Sequence, residues 1–317
     1  MRGRAFGLSI AALLASYTAA AAQSYPAQRV TIVVPFSAGS ITDGLARILA
    51  DKLGELWKQQ VIVENKPGIP GTTSVAKAAP DGYTLMLTSN GHTIASAITK
   101  SLQFDPVKDF AGVSQVASVP LVAIVPPDFP AKTLKEFVDL AKQKPGVLNF
   151  SSAGVASTSY LSAEIFKQQA KINIVHVPFR GAPEATTAVV RGDVQMYFAP
   201  IPATVELSSA NKVRPVAINS AKRAAQLPNV PTIAEAAVPD YKYDSWFSVL
   251  APATPKPILN KVSQDIAAVL KMPDVAEKLD KQGSIPTATT PEQLDAIVKT
   301  DTERNTKILK DAGIEPQ

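Results

Sequence analysis

The sequence has no cysteine and only two histidines among its 317 residues. Without cysteine there is no disulfide framework, no thiol nucleophile and no attachment point for a lipid, and Cys/His metal clusters are excluded. No His-Glu-x-x-His pair is present, and neither is a G-x-S-x-G elbow, a G-x-x-x-x-G-K phosphate loop or a G-x-G-x-x-G turn. A Ser/His/Asp hydrolase stays open only arithmetically, through His92 or His176, with no motif around either. Clustered basic charge is missing too. Lys and Arg number 32 against 27 Asp and Glu, a net charge of +5 that falls to +3 once Arg2 and Arg4 are removed. That balance gives nucleic-acid or membrane-surface binding little support. The chain therefore reads as a protein without metal, cofactor or catalytic activity of its own.

What is present begins at the N-terminus. Arg2 and Arg4 precede an apolar stretch from Ala5 to about Ala15, and the segment ends in Ala20-Ala21-Ala22-Gln23. This is the pattern of an exported protein's signal peptide, residues 1–22, with cleavage expected after Ala22. The stretch is shorter and more interrupted than the roughly 20 apolar residues of a spanning helix. The remainder, 23–317, is long enough for two domains of about 100–200 residues each.

Along that remainder, short apolar runs alternate with amphipathic helices, which predicts an α/β fold with mainly parallel sheets. Strands are expected at Arg29–Pro35, Val61–Glu64, Tyr83–Thr88, Val122–Val125, Leu148–Ser151, Ile174–Val177, Val194–Phe198, Val213–Ile218 and Ser245–Leu250. Leu45, Ile48, Leu49, Leu53 and Leu56 keep the spacing of one helical face. Further helices are expected at Leu134–Lys144, from near Pro183, and over Pro291–Ala312. The 26 prolines punctuate these elements. Two lobes are expected, one from 23–120 plus 245–317 and the other from 121–244. Two crossovers would make a hinge, with a ligand cleft between the lobes.

One local pattern recurs: an apolar strand, a loop of small residues, then a helix start. It occurs at Ser37-Ala38-Gly39-Ser40-Ile41-Thr42-Asp43, at Ser89-Asn90-Gly91-His92-Thr93, at Ser152-Ala153-Gly154 through Ser157-Thr158, and at Arg180-Gly181-Ala182-Pro183. Such loops present unpaired N–H groups and hydroxyls at the positive end of a helix, which suits carboxylate oxygens. A single loop of this kind is commonplace in α/β proteins, but four split between two lobes can close on one cleft. Ser40 and Asp43 also have capping-box spacing, which accounts for Asp43. Arg180 can grip a ligand carboxylate bidentately or pair with a protein carboxylate. His92 can donate to an anion or serve a structural hydrogen bond. His176, Trp246 and Phe247 read as core.

At these loops the chain resembles the extracytoplasmic receptors of tripartite tricarboxylate transporters, the Bug family. The matching stretches include Tyr25-Pro26, Val33-Val34-Pro35-Phe36, Val63-Glu64-Asn65-Lys66-Pro67-Gly68, Ala79-Pro80-Asp81-Gly82-Tyr83-Thr84-Leu85, Phe104-Asp105-Pro106-Val107-Lys108-Asp109-Phe110, His176-Val177-Pro178-Phe179-Arg180-Gly181, Leu227-Pro228-Asn229-Val230-Pro231-Thr232 and Ser245-Trp246-Phe247. The resemblance implies a two-lobed periplasmic binding protein fold, a small organic acid as ligand, and membrane permease subunits as partners of a monomeric receptor. It implies ligand contacts at Ser37, Ala38 and Gly39, at Ser89 and Asn90, at Ser152, Ala153, Ser157 and Thr158, and at Arg180 and Gly181. The sequence departs from the family pattern where Ser40 replaces a glycine, Ser159-Tyr160 a Pro-His pair, Phe179-Arg180 a Tyr-Lys pair, and Ala199 an aspartate that can meet a ligand amine. The last departure predicts a plain carboxylate rather than an amino acid. Alternatives are an exported hydrolase of carboxylate esters and a sensory binding receptor.

Overall fold

The computed structural model describes residues 25–316 apart from 156, 242, 244 and 312. The expected signal segment and its cleavage point lie outside the described residues.

The chain builds two sheets. In the first, β1 (Val30–Val34) lies between β2 (Val61–Asn65) and β3 (Thr84–Ser89), parallel to both. Then come β10 (Trp246–Pro252), β4 (Phe110–Ser118) and the short β11 (Ile285–Pro286), giving the order β11-β4-β10-β3-β1-β2. The second sheet has the order β7-β6-β8-β5-β9. Its strands are β5 (Leu121–Val125), β6 (Asn149–Ser152), β7 (Val175–Pro178), β8 (Met196–Pro200) and β9 (Arg214–Ile218). Central strands such as β1 and β5 are legible as β-branched runs because they are covered on both faces and need no alternation.

Two expectations need correction. The sheets are mixed rather than mainly parallel: β10 is antiparallel to β3 and β4, and β5 is antiparallel to β8 and β9. The strands that carry the chain from one sheet to the other enter against the direction of the βαβ units they join. The nine-residue β4 was also not anticipated. Its buried Ser114 and Gln115 break the apolar run; Ser114 Oγ donates to the Gln115 carbonyl at 2.8 Å and accepts from the Thr289 N–H at 3.2 Å, and Thr289 Oγ1 accepts from the Gln115 backbone N–H at 2.9 Å.

Each sheet has helices on both faces. On the first, α1 (Ile41–Trp57) packs Leu45, Leu49 and Leu53 against Val30, Ile32 and Val34, while Val33, Met86, Trp246 and Leu250 face the opposite layer. Fully burying one such leucine contributes about 1.5–3 kcal/mol. On the second, Phe137, Phe150, Phe166 and Phe198 fill one face, from α4 (Leu134–Gln143), α5 (Thr158–Ala170) and the sheet. The other face, with Val122, Ile124, Tyr197 and Ala199, is closed by α6 (Ala182–Val190) and α7 (Ile201–Ser209).

The chain passes between sheets at Val119-Pro120 and again between Ile218 and Trp246. These two segments lie side by side, since the Val119 N–H donates to the Ser245 carbonyl at 2.7 Å. Asn219 fastens them: it accepts from the Leu121 N–H at 2.7 Å and donates to Ser245 Oγ at 3.1 Å. The last helix, α11 (Pro291–Asp311), starts on the first sheet with Leu294 and Val298. It ends with Leu309 in the aromatic core of the second.

Candidate functional site

A cavity of about 600 Å³ lies between the two lobes, and all four of the recurring loops reach its wall. The first loop is shaped by Gly39, whose φ of +81° is a left-handed conformation that favours glycine. Ser40 caps α1 by accepting from the Asp43 N–H at 3.2 Å. The expected capping box is only half formed, since the Asp43 carboxylate reaches past Ser40 to the preceding residue. One carboxylate oxygen accepts from the Gly39 N–H at 2.9 Å and from Arg47 Nε at 3.0 Å, and the other from Asn65 Nδ2 at 3.0 Å. Burial alone would raise the Asp43 pKa, but the bonds from Arg47, Gly39 and Asn65 outweigh it and hold the carboxyl below its ordinary value. The loop is thus braced from behind by an ionised group, leaving the first-turn N–H groups of Ile41 and Thr42 without intrahelical acceptors.

The second loop differs from the expected helix start. Ser89 caps a 3₁₀ turn, Asn90–Ile94, which leads into the four-residue helix α3 (Ala95–Ile98), so little helix dipole stands behind it. His92 lies in that turn and touches the wall, but its Nε2 is 2.8 Å from the Pro106 carbonyl and its ring packs against Phe104 and Phe110. Burial pushes its pKa down to about 4, so it is neutral at pH 7.

From the second lobe, Ser157 caps α5 by accepting from the Tyr160 N–H at 3.2 Å. Ser159 Oγ accepts from the Ala153 N–H at 3.1 Å, and Ser152 Oγ from the Gly154 N–H at 3.2 Å. The fourth loop ends at Gly181, the cap of α6, with Pro183 in the first turn. Arg180 is exposed at the cavity rim, and no ion pair of its guanidinium occurs among the described residues.

Of the residues singled out in the sequence, Ser37, Ala38, Gly39, Ser89, Ala153, Ser157, Thr158, Arg180 and Gly181 line the cavity. Asn90 and Ser152 do not. Asn90 is fully buried behind the wall and bonds across the lobes. Ser152 is fully buried too, 2.7 Å from His176 Nε2. The His176 ring lies against Phe150 and Tyr160, and burial lowers its pKa to about 4. A serine sealed from the cavity cannot meet a substrate, so this pair does not serve as a nucleophile and base. Ala199 is buried one pleat beyond Tyr197 and is likewise off the wall.

The sequence reading overlooked a further contribution. Pro67, Gly68, Ile69 and Thr72 also line the cavity, at the start of α2 (Ile69–Ala76). Gly68-Ile69-Pro70 has the same glycine cap and first-turn proline as Gly181-Ala182-Pro183, and that signal was available. Phe36, Ile41, Ile98, Phe104, Leu121, Phe179, Tyr197, Phe198 and Phe247 supply apolar wall between the polar loops. Among the described lining residues none is Asp or Glu, and Arg180 is the one permanently charged side chain. The site can therefore hold an anion at helix starts and an apolar body between them.

Comparison with known proteins agrees with this geometry. A profile described as the tripartite tricarboxylate transporter family receptor matches residues 45–314. Protein BugT of Bordetella pertussis is 31% identical over 298 residues, covering 92% of this chain and 91% of BugT. Among solved structures, Rpa4515 of Rhodopseudomonas palustris with adipate superposes with a TM-score of 0.84 at 33% identity, over 92% of this chain and all of that one. MatC from the same organism, with bound malate, gives a TM-score of 0.80 at 32% identity over 90% of this chain and all of its own. No described helix is long and apolar enough to cross a membrane. The chain belongs to the receptors of the tripartite tricarboxylate transporter family, the periplasmic solute-binding proteins of the Bug type.

Proposed function

We propose that this receptor captures a small organic acid with one or two carboxylates and a plain hydrocarbon body, and passes it to the membrane permease subunits of its transporter. The observation that carries the reading is the composition of the cavity wall: helix starts from both lobes, one arginine, and no acidic side chain among the described lining residues. An amino-acid ligand would need a partner for its ammonium group, because a buried unpaired charge is strongly disfavoured, and this wall supplies no carboxylate. The adipate held by one superposable relative is a ligand of the proposed class, and the malate held by the other is likewise a dicarboxylate without an ammonium group.

The lobes divide at 120 and 245, in keeping with sheet membership, which changes after Ser118 and before Trp246. Ser37, Ala38, Gly39 and Ser89 would contact the ligand from the first lobe, and Ala153, Ser157, Thr158 and Gly181 from the second. Arg180 would close over the outer carboxylate. The working form is a monomer released after cleavage behind Ala22.

A thermal-shift panel of mono- and dicarboxylates with glutamate and aspartate tests the reading. Binding to the native state adds about 2.7 kcal/mol of stability at a ligand concentration a hundred times Kd, so a matching acid raises Tm clearly. The reading is lost if no organic acid raises Tm, or if the amino acids do so and plain dicarboxylates do not.

A further inference from the structure

Where the lobes meet, mostly behind the cavity wall, lies a polar cluster of which the binding reading uses only Thr158. Asn90, Thr93, Thr158, Tyr243 and Asn305 are each at least nine-tenths buried, and they come from four distant parts of the chain. Asn90 Oδ1 accepts from Thr158 Oγ1 at 3.1 Å, and Asn90 Nδ2 donates to the Tyr243 hydroxyl at 2.8 Å. That hydroxyl in turn donates to the Thr158 carbonyl at 3.4 Å. On the other side Thr93 Oγ1 donates to the Asn90 carbonyl at 2.7 Å and accepts from Asn305 Nδ2 at 2.9 Å.

The positions matter more than the number of bonds. Asn90 directly follows Ser89, one of the first-lobe hydroxyls on the cavity wall, and Thr158 directly follows Ser157, the cap of the second-lobe helix on the same wall. Tyr243 lies in the segment that returns the chain to the first sheet, and Asn305 lies on α11. One amide therefore joins the two opposing cavity loops to each other and to the return crossover. Its donor and acceptor are directional, and buried polar groups lose heavily when a partner is removed. The cluster thus favours one relative placement of the lobes.

We propose that Asn90 is a positioning residue: by tying Thr158 and Tyr243 it sets the gap between the two opposing cavity loops, and so the length of anion that fits between them. The proposal rests on the carboxylate-binding reading for its ligand consequence. Its structural consequence, the spacing of the lobes, stands without a ligand.

The experiment uses the full mature protein with Asn90→Ala and Tyr243→Phe. Tyr243→Phe keeps the ring packing and removes the one oxygen that bonds both Asn90 and Thr158. Two readouts are taken: the radius of gyration of the ligand-free protein by X-ray scattering, and affinities by calorimetry for straight-chain dicarboxylates from succinate to suberate. Both variants are expected to have a larger radius of gyration. The best wild-type ligand should bind on the order of tenfold more weakly, the effect expected from losing one buried hydrogen bond, and the preferred chain length should increase. Unchanged scattering with an unchanged ranking of ligands overturns the proposal, even if Tm falls, because a purely structural role would lower Tm alone. If Asn90→Ala does not fold, Tyr243→Phe decides. If the wild type binds neither monocarboxylates nor dicarboxylates, the function reading fails while the scattering comparison still judges the role of Asn90.

Discussion

At the scale of single residues, the shape of the cavity depends on groups that do not line it. Asp43 is the clearest. Its carboxylate holds the Gly39 N–H, Arg47 and Asn65 together, and these bonds fix the turn that presents the first-turn N–H groups of α1. The Ser-x-x-Asp spacing made the cap legible in the sequence, but Asn65, brought in from 22 positions away, was not. A side chain delivered by the next strand leaves no local mark. Asp43→Asn keeps the shape and removes the charge, and is expected to lower stability by about 1–3 kcal/mol at pH 7. The folded-state pKa lies below the unfolded value of about 3.9, so the contribution is complete above that value and fades as pH falls through the folded pKa. Urea titrations of wild type and variant should therefore differ at pH 7 and converge as the pH falls below the unfolded value. A gap independent of pH would show that the charge is not what braces the loop. The two histidines act earlier on the same axis. Each is held neutral with a pKa near 4. Stability tied to them is therefore present above an unfolded value of about 6.5 and declines as pH falls from there toward 4.

At the scale of elements, β-branched runs and proline-marked helix starts were readable because each is a short-range signal. The strand β4 was not readable, since its polar interior is satisfied in part by a segment some 175 positions later. The α2 start carries the same kind of short-range signal, a glycine cap and a first-turn proline, but it lies outside the four loops that the recurring pattern picks out. Gly71, in the first turn of that helix, shows how tightly the loop is built. A Cβ there would overlap the Lys66 carbonyl oxygen and crowd the Lys66 side chain. Backbone cannot yield as a flexible side chain can, so Gly71→Ala must shift the Pro67–Ile69 stretch that lines the cavity. Overpacking of this kind costs about 1–3 kcal/mol. The variant should show both a lower urea midpoint and weaker binding of the acid that stabilises the wild type. Loss of stability with unchanged affinity would mean that the α2 start does not contact the ligand.

At the scale of the whole molecule, the lobes are coupled more closely than two connecting strands require. The crossovers bond to each other through Val119, Ser245 and Asn219, and α11 begins on the first sheet and ends inside the second lobe. The sequence gives no sign of this second contact, because an amphipathic helix does not declare which of two cores will take each of its turns. Leu309 is fully buried against the second-lobe cluster that contains Phe137 and Phe166. Truncating a buried leucine to alanine costs about 2–5 kcal/mol through lost transfer energy and a residual cavity. Here the loss falls on the contact that makes one lobe's unfolding felt by the other. Calorimetry of the wild type should give a single cooperative transition. Leu309→Ala should broaden it or split it in two, with the second lobe melting first while the first lobe keeps its midpoint. A single sharp transition merely shifted downward would show that the crossover segments alone couple the lobes, with the end of α11 acting as ordinary core.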